Sequence, residues 1–512
     1  MKIYKAIMIC MVLAISVLSD AQATSEFKDL KLPEVWQGDK ETVFGTLQFD
    51  HGMPSKESAE TLYAELDAYR ATELYLWSLP VVSFAKWRAD AREKHPGFEN
   101  RAVLHTKSYD DRVGVLTINQ SSEYFFSWVN TDDTATIIEI PKGIVVGLVT
   151  DFWQRGLTDL GVFSLNAGGG GTYVLSGPRT PKDKIPDIKG ARHLESETSN
   201  AFILMRFIQI ENETPVEELQ SQVRVYPAGE EPGINLVEGG DKPLQGYAPR
   251  GMEYWELLHE VLQEEDTAER DRFFMYWAHT LGLERGKPFE PTMTQKAALM
   301  AGVTSGEAVG KTLVFNERLE GVLRKDGWRY ILSGKLPDAF EHTQRVRDFD
   351  MLDPRSRFTY EAITSSPRMG HPVVGKGQSY AGRFEDSKGK RLRGDRSYMM
   401  KFDPVPPVTL FWSVVFYDVE SRTLIVNETR NATIGSRATK DLRKNEDGSV
   451  YIFAGPKPPK GWESNWVETI PGRGWFPYVR LYGPGEKWFD EDAFALPQIE
   501  EINYDDFTKM TQ

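Results

Sequence analysis

The chain is nearly without cysteine: Cys10 stands alone among 512 residues. One thiol can build neither a disulfide framework nor a cysteine-ligated metal site. Positive charge is also short, with 61 Lys plus Arg against 75 Asp plus Glu and a formal charge of -14. Affinity for nucleic acid or anionic lipid needs a basic face, and nothing here favours one. Long apolar runs are missing too. The one continuous run, Ile7 to Leu18, is about twelve residues long, short of the ~20 that span a bilayer. With 40% hydrophobic, 12% aromatic and 27% charged residues, the composition is that of a globular protein. It excludes collagen-like, disordered and multi-span membrane classes. At roughly 150 residues per domain the length suggests about three domains.

Signatures of catalysis are scarce. There is no Gly-x-Ser-x-Gly nucleophile elbow. His259-Glu260 lacks the second histidine of a zinc-protease helix, because position 263 is Gln. Ser305 to Thr312 approaches a phosphate-binding loop, but Ser305 stands where its first glycine belongs. Ser305 reads instead as the cap of a helix start. Gly168 to Gly171 reads as a turn before the strand Thr172 to Leu175. Asp348-x-Asp350-x-x-Asp353 and Asp490-Glu-Asp492 lack EF-hand spacing and read as solvated loops. The eight histidines have no metal-ligand spacing, and most of the 13 tryptophans sit where the pattern wants core. No metal and no cofactor is expected.

What is present begins at the N-terminus. Lys2 and Lys5 precede the Ile7–Leu18 run, and Ala21-Gln22-Ala23 supplies a signal-peptidase box. The expectation is a signal peptide over residues 1–23, cleaved after Ala23, and a soluble periplasmic or secreted protein with no transmembrane segment. Cleavage removes Cys10 and leaves the chain acidic. Residues 24–56 read as an extended leader. Residues 57–250 read as a helix followed by a β-sandwich. The helix runs from Glu57 to Leu79 on the spacing of Leu62, Leu66, Tyr69, Leu74 and Trp77, with Pro80 as its stop. Tyr124 to Val129, Ala135 to Ile140, Ile144 to Val149 and Ala201 to Ile210 carry strand character. Residues 251–345 read as a helical module, with helices at Tyr254–Glu264, Thr267–Leu281, Thr294–Ala301 and Gly306–Leu319. Residues 346–512 return to strands, clearest at Thr409 to Tyr417, Val450 to Phe453 and Tyr478 to Tyr482. The fold class is mainly β with a helical module between two sandwiches.

Several ordered runs resemble a known bacterial family. Tyr75-Leu-Trp77-Ser-Leu-Pro80, Thr117-Ile-Asn119-Gln-Ser-Ser122-Glu-Tyr124, Asp151-Phe-Trp153 and Asp159-Leu-Gly161 are similar to its N-terminal half. Arg285-Gly-Lys-Pro-Phe289 is similar to its linker. Tyr380, Phe411-Trp412-Ser413, Asn445 to Ser449, Asn465-Trp466 and Arg480-Leu-Tyr482 are similar to its C-terminal half. The family is the exported two-domain one carrying domains of unknown function 1254 and 1214. The resemblance implies an immunoglobulin-like N-terminal sandwich, a helical module and a jelly-roll-like C-terminal sandwich, and no established reaction. Ser121 and Ile118 depart from the family's aspartate and proline.

The candidate ligand-binding residues are Asn119, Tyr124, Trp153, Arg155, Tyr380, Trp412 and Arg480. Asn and Arg orient carboxylates or hydroxyls, and the rings supply apolar contact. The expectation is a binding or accessory protein for a small polar organic or glycan ligand in a cleft between domains. The strand period puts Tyr124, Phe126 and Trp128 on one face and Phe125 and Ser127 on the other. An alternative is a hydrolase or lyase working through Asp151, Asp159 and Glu123 with a tyrosine. A third class is a structural envelope protein, which would show a large exposed apolar patch. The oligomeric state is open.

Overall fold

The computed structural model describes residues 33–504, except 163, 165–167, 210–212, 317, 319–320, 333–350, 367–368 and 370–372, together with residue 507. The expected signal peptide and its cleavage site lie outside the described residues, as do Asp348 and Asp350. The chain divides into two compact units, Met1–Leu66 and Asp67–Gln512. In the first, residues expected to run as an extended leader form a three-stranded antiparallel sheet, Gly38–Thr42, Gly45–Asp50 and Met53–Pro54. The tight turn before its second strand is made by Gly45 at φ +91°. Trp36 sets its ring edge-on to Phe49 at 4.8 Å, which gives this small sheet an aromatic anchor.

In the second unit the period-two alternation of side chains organises four sheets. A six-stranded sheet (order Asn235–Glu238, Ala102–Thr106, Glu123–Asn130, Asn200–Phe207, Val145–Asp151, Gly156–Gly161) is accompanied by a four-stranded one (Arg192–Glu195, Gly171–Ser176, Thr136–Ile140, Arg224–Pro227). Phe125, Val129, Ile203 and Met205 on one share a core with Ile138, Tyr173 and Leu175 on the other. In the C-terminal half a five-stranded sheet (Arg329–Tyr330, Gln378–Gly382, Trp475–Pro484, Val408–Asp418, Thr433–Gly435) is accompanied by a four-stranded one (Trp466–Glu468, Val450–Gly455, Tyr398–Phe402, Glu500–Glu501). Trp412, Val414, Phe416, Val479 and Leu481 fill the core between them with Met400, Phe402 and Ile452. The fold is mainly β, with a helical module.

The alternate residues of both larger sheets point the other way into one shared core. Tyr124, Phe126, Trp128 and Phe202 meet it from the N-terminal half, as the strand period predicts, and Tyr380, Val415, Tyr417 and Tyr478 from the C-terminal half. Burial on both faces explains the near-continuous apolar runs of these strands.

Six α-helices are described: α1 (Lys56–Lys94), α2 (Val216–Gln222), α3 (Met252–Glu264), α4 (Arg272–Thr280), α5 (Met293–Phe315) and α6 (Leu352–Glu361). Two expectations are corrected here. Pro80 does not stop the first helix, which continues to Lys94. A proline inside a helix frees the carbonyl four residues earlier, and the Ser356 hydroxyl donates to that carbonyl, Leu76 O, at 3.1 Å. Ser305 starts no helix either, because it lies inside α5. That helix starts at Thr292, whose hydroxyl and the Gln295 side chain form a reciprocal capping box. The break read near Gly302 and Gly306 is a close-packing face instead. A Cβ at Gly302 would come within 2.2 Å of Ala71, and one at Gly306 within 2.4 Å of the Tyr75 ring.

Candidate functional site

A cavity of about 80 Å³ lies between the facing sides of the six-stranded and five-stranded sheets. At roughly 10–15 Å³ for one water, it has room for a small organic molecule. Phe126, Leu148 and Leu204 wall it on one side, Phe358 and Ala362 at the end of α6 on another. Its polar lining holds Asn119, Tyr124, Tyr380 and Arg480, four of the seven candidates, with Arg206 and Gln378. These four meet there because each lies on the inward-facing parity of its strand or in the loop that closes the end.

That loop, residues 115–120, is held from both halves. The Asn119 carboxamide oxygen accepts from the Ser121 main-chain N–H and hydroxyl, both at 2.9 Å, while its Nδ2 donates to the Tyr124 hydroxyl. Ser121, where the family has aspartate, thus closes a local turn on Asn119. From the C-terminal half, the Tyr417 hydroxyl donates to Ile118 O at 2.9 Å, and Arg480 Nη2 donates to Thr117 O. Thr117 and Thr364, both lining the cavity, hold φ of +36° and +64°. A β-branched residue is strained there, and such strain persists only where its surroundings fix it. Thr117 N–H is tied to Arg422 O at 2.8 Å and Thr364 N–H to Gln154 Oε1 at 2.9 Å.

The electrostatics are set by two arginines. Arg206 donates to Ser122 Oγ at 3.0 Å, Gln378 Oε1 at 3.1 Å and the Tyr482 hydroxyl at 3.4 Å. Arg480 donates to the Tyr417 hydroxyl at 2.8 Å and lies 4.4 Å above the Tyr380 ring. Burial works against both charges, yet the surrounding phenols hold both guanidiniums above their ordinary value. Burial likewise pushes the Tyr482 phenol up, but Arg206 and Arg480 outweigh it and hold the group below its ordinary range. Burial raises Tyr380 and Tyr417. The result is a positively charged pocket walled by aromatic rings.

Three candidates lie elsewhere. Trp412 has the opposite strand parity to Tyr417, so it stacks on Phe402 at 5.6 Å inside the C-terminal sandwich core. Trp153 and Arg155 line a separate space of about 10 Å³ with Trp77 and Asp271. There the Arg155 guanidinium pairs with Asp151 at 3.5 Å and Asp271 at 3.3 Å, and the Trp77 indole donates to Asp271 at 2.9 Å. The candidate carboxylates do not converge on the main cavity. Asp151 is held by Arg155, Glu123 accepts from Gln220 and pairs with His105, each at 2.8 Å, and Asp159 is buried off the lining. Among the described residues no group of three or more acidic, histidine or cysteine side chains is placed to hold a metal ion. Arg206 and Gln378 escaped notice, although a lone cation in the apolar run Ala201-Phe-Ile-Leu-Met-Arg206-Phe207 was itself a signal.

Comparison with known proteins decides the family. Residues 100–227 match the model described as protein of unknown function DUF1254, and residues 377–486 match that described as protein of unknown function DUF1214. The chain is a two-domain DUF1254–DUF1214 protein. No curated protein matches it. The VPA0106 protein from Vibrio parahaemolyticus is similar in structure, with a TM-score of 0.52 at 16% identity over 85% of this chain and 100% of that one. An uncharacterized protein from Burkholderia cenocepacia aligns with a TM-score of 0.39 at 13% identity, over 88% and 98% of the two chains. The first likeness places the DUF1254–DUF1214 fold among solved structures and carries no function. Among the described residues no helix is long and apolar enough to cross a membrane.

Proposed function

We propose that this DUF1254–DUF1214 protein is an exported binding protein that holds a small polar organic molecule in the cavity between its two β-halves. The observation that supports this most is convergence. Asn119 and Tyr124 from one half and Tyr380 and Arg480 from the other line the same largely apolar space, the usual composition of a small-molecule site. The volume favours a single small molecule over a glycan chain. Acid–base chemistry finds less support, because Asp151, Asp159 and Glu123 are all engaged or buried away from the cavity. A thermal-shift screen of metabolites tests the reading, since a ligand that binds only the native state raises Tm. Ala362→Leu, which fills the space beside Phe358, should abolish the shift and leave the unliganded Tm nearly unchanged. Hits that stabilise wild type and Ala362→Leu equally would place binding elsewhere.

A further inference from the structure

The two arginines of the cavity differ from other buried arginines of the chain. Arg155 and Arg324 are also buried, and each has an aspartate, at 3.3 and 3.0 Å. Arg112 and Arg422 have no such partner but spend their donors on main-chain carbonyls away from the cavity. Arg206 and Arg480 face the cavity, and among the described residues neither has a carboxylate within ion-pair distance. Their hydrogen bonds go to hydroxyls, a carboxamide and one carbonyl. The Nη1 of Arg480, a side chain 5% exposed, makes no hydrogen bond among the described residues. Two buried cations beside one apolar space are costly without a counter-charge.

We propose that an organic carboxylate supplies that charge: one carboxylate on Arg480 and Arg206, with an apolar body against Phe126, Leu148 and Phe358. The inference rests on the reading of the cavity as a ligand site and names its ligand class. A planar guanidinium presents two parallel donors that match the two oxygens of a carboxylate. Most of the remaining lining is apolar, so a second ionised group or a three-oxygen phosphate would leave acceptors against hydrocarbon. Lysine, the point-charge phosphate partner, does not line the space.

Isothermal titration of the full chain with benzoate, hexanoate, benzamide, hexanamide and inorganic phosphate tests this. Both carboxylates should bind at least tenfold more tightly than the matched amides, and phosphate should not bind. Arg480→Gln should erase the preference. If that variant does not fold, because Arg480 also holds Thr117, Arg206→Gln and the wild-type panel still decide. Amides that bind as tightly as carboxylates would overturn the carboxylate assignment and leave the ligand site standing. So would tighter binding of phosphate. Silence from all five probes overturns it alone if the metabolite screen yields cavity ligands, and overturns both readings if it yields none.

Discussion

The Ser356 hydroxyl donates to the carbonyl of Leu76, the group that Pro80 leaves without its helical partner. A proline inside a helix costs about 3 kcal/mol or more, and one such bond recovers part of that by satisfying a buried acceptor. Both residues are fully buried. Ser356→Ala should therefore destabilise the protein by about 1–3 kcal/mol, measured as a lower urea midpoint at unchanged slope. A variant as stable as wild type would show that Pro80 is accommodated without Ser356.

Gly302 carries a second packing prediction. Alanine is the better helix former by about 1 kcal/mol, so propensity alone predicts stabilisation by Gly302→Ala. Its Cβ would sit 2.2 Å from Ala71 Cβ and 2.7 Å from the Ala71 main-chain carbon. Backbone cannot swing aside as a side-chain tip can, and overpacking costs typically about 1–3 kcal/mol or more. Net destabilisation is expected in chemical unfolding. A gain in stability would mean that α1 and α5 separate readily.

These two sites show what the sequence could carry. Strand parity was legible, and it put Tyr124, Phe126 and Trp128 on the cavity-facing side of their sheet. The same rule, applied at Thr409–Tyr417, separates Trp412 from Tyr417, but aromatic character drew notice to Trp412. Pro80 and Gly302 were misread because local rules treat them as helix stops. Their compensation comes from Ser356 and Ala71, more than 200 residues away in each case by the numbering. Arg206 did carry a signal, as a lone cation in an apolar run, but its place in the cavity depends on Gln378 and Tyr482 from the other half.

Export is expected from the basic start, short apolar run and Ala-Gln-Ala box. N-terminal sequencing of the protein from its native host should begin at Thr24. A product that retains Met1 would overturn it.

A pH dependence follows from the ion cluster in which Arg250 bridges Glu307 and Glu420, the latter at 2.8 Å, with Lys311 on Glu420 at 3.0 Å. Burial pushes the Glu307 carboxyl up, but the Arg250 hydrogen bond and charge prevail, and it lies below its ordinary value. The Arg250 hydrogen bond is the main cause of the same shift at Glu420. With folded values below the unfolded ones, the folded protein binds fewer protons over that interval. The stabilisation is thus present above about 4.5, the ordinary Glu value, and lost as pH falls through the folded values. Arg250 is 62% exposed, so screening limits each pair to less than about 1 kcal/mol. Arg250→Gln should lower the urea midpoint at pH 7, and the gap from wild type should close below pH 4.5. A gap that widens on acidification would reverse the assignment.

Tyr482 supplies a signal from inside the cavity wall. Burial alone would push its phenol up, as it does at Tyr380 and Tyr417. Arg206 and Arg480 overcome burial and pull it below the ordinary tyrosine value of 10.0. In an alkaline titration of the folded protein, followed by phenolate absorbance, the first step should belong to Tyr482. Tyr482→Phe should delete that step and leave later ones in place. A carboxylate bound on the same guanidiniums spends part of their charge on itself, so benzoate should move the step to higher pH. Benzamide is the control: a neutral ligand that excludes water also raises the phenol by desolvation, so the carboxylate is distinguished by moving the step further than the matched amide does. A first step that survives Tyr482→Phe would show that the two buried cations do not govern this side chain.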